Sequence, residues 1–152
     1  MQPEKEWEKL RKKHKKLPDW KWISHNFYVK TDEGELLKSV QLAIVEKFDT
    51  IAHSSLEPII SGGENYSSYF ERRMLTEAER EHLFDIYRQL RALLWESNKI
   101  AVDFSEKDFA EWLSTVRLKW DVLRPKLAKV FDKLATSWEK YKKPTEETAY
   151  HG

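Results

Sequence analysis

The 152-residue chain contains no cysteine. That excludes disulfides, thiolate metal sites and cysteine nucleophiles. No apolar run approaches the length of a membrane span, and the opening residues are charged where a secretory signal is apolar. An intracellular (cytoplasmic) setting is therefore expected, and a virion or shell component fits the same composition. Side-chain amides are confined to Asn26, Asn65, Asn98, Gln2, Gln41 and Gln89. Few amides beside abundant lysine and glutamate is the composition that heat selects, so a thermophilic source is expected. Glycine is scarce too, and its tightest pair, Gly62-Gly63, lacks the lysine and the preceding strand of a phosphate-binding loop. It reads as a flexible connection.

What is present is a folded, highly charged composition, with 40% hydrophobic and 35% charged residues. The length predicts one domain with a sizeable core. The formal net charge of +1 hides an asymmetry. Residues 1–30 carry nine basic and four acidic side chains, a net +5, which leaves −4 for the remainder. Charge gathered in one segment often marks contact with a polyanion.

Apolar spacing predicts helices almost throughout. Pro3 suits a first helical turn, and Trp7, Leu10, His14 and Leu17 give a short amphipathic helix over 3–17, stopped by Pro18. Residues 18–31 are rich in aromatics and read either as a hairpin or as an extended segment laid on the bundle. Asp32 and Glu35 suggest a capping box for a helix over 33–56 with the stripe Leu37, Val40, Ile44, Phe48 and Ile51. A short helical piece is expected around Tyr69 to Arg73. Thr76 and Glu79 form a second capping box, opening a helix to about residue 102. Ser105 with Asp108 opens the last helix, whose stripe runs from Phe109 to Tyr141. Pro125 should kink or split it. The expected fold is all-α: an antiparallel bundle of about four helices over 32–143, a basic and aromatic N-terminal helical arm over 1–31, and a solvated tail over 144–152.

On a helical wheel Trp7, Leu10, His14 and Leu17 share one side, and Lys5, Lys9, Lys12 and Lys16 lie almost opposite, flanked by Arg11, Lys13 and Lys15. Such a helix can lie on protein with one face and on phosphates with the other, giving salt-sensitive, sequence-blind affinity. The same pattern also describes a solvated face whose charges follow the helix dipole, or a helix docked on a membrane surface or a partner. Trp20 and Trp22 can close the core, anchor a subunit interface or stack on unpaired bases.

Enzyme readings find little footing. Glu79-x-x-His82 is half of a di-metal bundle site, and no second Glu-x-x-His exists. Glu77, Glu81 and Asp85 on one helix, with Asp108 and Glu111 on the next, loosely match the MazG-type nucleotide pyrophosphatases, which hold magnesium between acidic residues of two helices. No catalytic residue, metal ligand or cofactor is assigned.

The segment WEKLRKKHKKLPDWKW (Trp7 to Trp22), broken at Pro18 and followed by helix from Asp32 to Tyr141, resembles in layout the major coat proteins of filamentous archaeal viruses of the lipothrixvirus and rudivirus type. The likeness is one of architecture, without a residue-level motif. It implies a structural protein that binds double-stranded DNA without sequence specificity and assembles into a helical capsid filament. Lys5, Lys9, Arg11, Lys12, Lys13, Lys15, Lys16 and Lys21 would track phosphates. Trp7, Leu10, Trp20, Trp22, Phe27 and Tyr28 would meet neighbouring subunits, among them a related second coat subunit, or a lipid envelope. The alternatives are a small helical adaptor acting through protein–protein contacts and a magnesium-dependent pyrophosphatase.

Overall fold

The computed structural model describes residues 2–31, 34–62 and 65–142, and all regular structure among them is helical. The elements are α1 (Pro3–Lys13), α2 (Trp20–Asn26), α3 (Leu36–Asp49), a π-helical segment (Thr50–Leu56), α4 (Glu57–Ile60), α5 (Tyr66–Met74), α6 (Glu77–Val102) and α7 (Glu106–Glu139). The all-α class is as expected. The organisation among the described residues is three long rods with short helices around them. Residues 144–152, read as a tail, lie outside the described residues.

The first rod is α3, the π segment and α4 in unbroken succession, with helical backbone at each junction. Its fully buried residues recur every four positions: Val40, Ile44, Phe48, Ala52, Leu56. At about 100° per residue a four-residue step overshoots one α-turn by about 40°, so such a stripe would wind off the core. A π segment takes i→i+5 bonds and more residues per turn, here with the Glu57 N–H on the Ala52 carbonyl. That unwinding keeps Ala52 and Leu56 facing inward. Ile51, expected in the stripe, is only partly buried. Pro58 supplies a local cause, because it has no N–H to donate and its ring would press on the Ser54 carbonyl in α geometry. The expected Asp32–Glu35 box is not the cap of this rod: Glu35 is itself the N-cap, without a side-chain capping bond, and Asp32 lies outside the described residues.

The other rods are α6 and α7. The expected Thr76–Glu79 capping box opens α6, with both reciprocal bonds present. Ser105 Oγ accepts the Asp108 N–H at the start of α7. Pro125 does not split α7, which runs through it with the proline exposed. α6 packs against both other rods. Gln41 reaches Ser97 while Tyr87 reaches Glu57, and Trp112 Nε1 donates to the Leu93 carbonyl while Lys133 meets Glu79. Both pairings are therefore antiparallel.

Guanidinium groups finish two short helices. Arg72 donates to the carbonyls of Ile59 and Ile60 (2.9 and 3.0 Å), and Arg80 to those of Arg72 and Leu75 (3.1 and 3.2 Å). These are carbonyls a helix end leaves unpaired. Gly62 follows the α4 C-cap with φ +98°, the left-handed position that favours glycine. α5 then packs on the end of α7, with Phe70 4.3 Å from Trp138 and 4.7 Å from Tyr141 between ring centres.

The N-terminal segment is where expectation and structure part. Residues 18–31 hold a helix, α2, where a hairpin or an extended segment was expected; Asp19 caps it by accepting the Trp22 N–H at 2.8 Å. α1 ends at Lys13, short of Leu17. Both helices lie against the bundle. Trp7, Leu17, Ile23 and Phe27 belong to the same buried core as the rods. The segment is a layer of the fold and not a free arm.

Candidate polyanion interface

α1 is shaped by its charges and by one tryptophan. Pro3 occupies its first turn with Glu4 and Glu6, and Arg11, Lys12 and Lys13 occupy its last, the order the helix dipole favours. Trp7 is fully buried, and its indole N–H donates to the Pro18 carbonyl at 2.7 Å. Its ring meets Trp20 at 5.8 Å. The chain turns at His14, whose carbonyl accepts the Leu17 N–H (3.1 Å) and whose ring lies 3.2 Å from Glu106 at the head of α7. With Trp7 fixed inward, the opposite side of α1 must face out.

That outer side carries Lys5, Lys9 and Lys12, all exposed, and with Trp20 they border a shallow open groove that Glu4 and Glu8 also line. Lys13, Lys15, Lys16 and Lys21 are exposed as well. None of these seven lysines is in a salt bridge among the described residues. Arg11 differs from the expectation. Its Nε donates to the Leu17 carbonyl at 3.2 Å and its Nη1 meets Glu8 at 3.1 Å, so it closes the turn after α1 and is not presented to a phosphate.

The aromatic residues expected at a subunit interface separate into groups. Trp7 and Phe27 are at 0% and 3% exposure inside this chain's own core, which removes them from that role. Leu10, Trp20 and Trp22 are partly buried against the core. Trp22 donates to Asp121 at 2.9 Å and leans edge-on against Phe27. Tyr28 alone stands fully out, at 85% exposure.

Sequence reasoning missed Lys47. Its ammonium donates to the Asn26 carbonyl and lies 5.3 Å from the centres of both Phe27 and Trp120. Burial, then the nearby Arg124 charge, lowers its pKa. It fastens the end of α2 to α3. It also missed Arg117 and Arg124, whose seven-residue spacing on one helix face was the available signal.

The acidic residues do not converge. Glu77, Glu81 and Asp85 lie on the first turns of α6, whereas Asp108 and Glu111 pack beside its last turns. At 1.5 Å per residue the two groups are roughly 15–30 Å apart, too far to ligate one magnesium at about 2 Å. Among the described residues no group of three or more His, Asp or Glu is placed to hold a metal ion. Glu79 is occupied by the cap and by Lys133, which with the Thr76 N–H lowers its pKa to about 2. Among the described residues no helix is long and apolar enough to cross a membrane.

No protein family, curated protein or solved structure matches this chain. Its own residues carry the functional argument.

Proposed function

We propose that this is a non-enzymatic protein that binds duplex DNA through its phosphates, without reading base sequence. The observation that supports this is the outward row of Lys5, Lys9 and Lys12 on a helix whose orientation Trp7 fixes, extended by Lys13, Lys15 and Lys16 around the following turn. Exposed ammonium groups that are in no salt bridge among the described residues can neutralise phosphates and release the counterions of the duplex. Wild type should bind unrelated duplexes equally, with affinity falling steeply as salt rises. Lys5, Lys9, Lys12 and Lys16 replaced together by glutamine should flatten the salt dependence by about one unit of slope per lost contact. Fluorescence anisotropy across a salt series measures both. A wild type that ignores duplex at low salt, or a quadruple variant that binds like it, overturns the reading.

Assembly of such copies into a helical capsid filament in a virion, alone or with a related second subunit, belongs to the same proposal. It loses Trp7 and Phe27 as intersubunit anchors and keeps the exposed Tyr28. Electron microscopy of protein mixed with duplexes of defined length tests it, with filaments matched to duplex length as the expected product.

A protein-binding adaptor is the second reading. Phe84, Trp95 and Val102 are exposed along one outer line of α6, at spacings of eleven and seven residues that return to within about 20° on a helix. Aromatic residues are favoured at such interfaces. This reading expects a stoichiometric complex that tolerates salt and weakens on Trp95→Ala.

A further inference from the structure

The basic residues of α2, Lys21 and His25, lie on the side of that helix that faces α7. A groove between α2 and α7 is lined by Lys21, Trp22 and His25 on one side and by Arg117 and Arg124 on the other. Both acids in it are engaged. Asp19 caps α2 through the Trp22 N–H, and Asp121 accepts from the Trp22 indole at 2.9 Å and lies 4.0 Å from the Arg117 Nε. Arg124 is in no salt bridge among the described residues. Asn26, which also lines the groove, accepts at its carbonyl from Lys47, whose pKa burial and then the Arg124 charge lower. Three cations, Lys21, Arg117 and Arg124, thus line one groove whose two acids are already engaged. An anion seated in the groove would meet the Lys21 ammonium and both guanidinium groups at once.

We infer that this groove is a second phosphate-binding element and that it takes the same duplex as the α1 row, so that the contact surface spans α1, α2 and the middle of α7. The inference rests on the polyanion reading and extends it to residues far along the chain. The rows flank α2, whose width with side chains is about 10–12 Å. The major groove of a duplex is of similar width, so the two rows can meet phosphates of opposite strands.

The experiment compares three proteins on one mixed-sequence 30-base-pair duplex across a salt series: wild type, the α1 quadruple variant, and Arg117→Gln with Arg124→Gln. Both arginines are exposed and glutamine favours helix, so melting by circular dichroism should be unchanged. The expected result is a salt slope shallower by about two in the double variant, at equal stoichiometry. A double variant that binds with the wild-type slope, while the α1 variant loses affinity, overturns the second element and leaves the α1 reading standing. A wild type that does not bind the duplex overturns both.

Discussion

Residues 2–31 are fixed to the bundle by a few aromatic side chains, while α6 and α7 are fixed to each other by an apolar stripe repeated over many turns. In the N-terminal layer Trp7 fills the core and its indole N–H closes the loop onto Pro18, so one side chain does the work of a turn. In the hairpin the buried set Leu83, Ile86, Leu90, Leu93 and Leu94 meets Leu113, Val116, Trp120, Leu123 and Leu127, and no single member dominates. Short helices bury too little to hold themselves, because helix nucleation is unfavourable and stability comes from packing. They concentrate it in a few large rings, and a long stripe spreads it.

That contrast sets the mutational expectations. Trp7→Ala should cost about 3–5 kcal/mol by urea unfolding, more than Leu90→Ala in the hairpin. Trp7→Phe should cost about 1–3 kcal/mol, because it leaves the buried Pro18 carbonyl without a donor. Equal losses at Trp7 and Leu90 would erase the distinction. A smaller effect is expected at the hairpin's capped end. The Glu79 pKa is lowered to about 2 by Lys133 and the Thr76 N–H. A depressed carboxylate adds stability that is complete above its unfolded pKa near 4.5 and is lost as pH falls through the folded value. The site is partly solvated, so the loss between about pH 4.5 and pH 2 should be about 1 kcal/mol. Glu79→Gln should remove that fraction of the acid-induced drop in melting temperature. A variant with an unchanged acid profile would show that the cap contributes elsewhere.

The same contrast explains what could be read in advance. α6 was legible to its ends because periodic leucines and a capping box agree. The α7 stripe was legible through Leu134. α2 was missed because tryptophan, phenylalanine and valine favour strands, and because a seven-residue helix shows too few turns for its period to stand out. Asp19 after Pro18 was the usable signal, an N-cap behind a helix stop. The π segment was hidden because Ile51 fits α spacing after Phe48 as well as Ala52 fits the wider turn. The exposure of the lysine row was legible, since charge follows the wheel. The fates of Trp7 and Arg11 were not, because each depends on where the turn at 14–17 brings Leu17 and Pro18.

The wide turn in the first rod also has a meaning for length variation. It contains in effect one surplus residue, stored in the middle of a helix without a loop. A chain shortened by one position between Thr50 and Leu56 can close that stretch as α-helix and still present Leu56 to its neighbour, provided Pro58 is carried inside the helix as Pro125 is inside α7, and it should melt cooperatively. The same shortening within α6 has no slack to draw on, and every side chain beyond the cut would swing by about 100°.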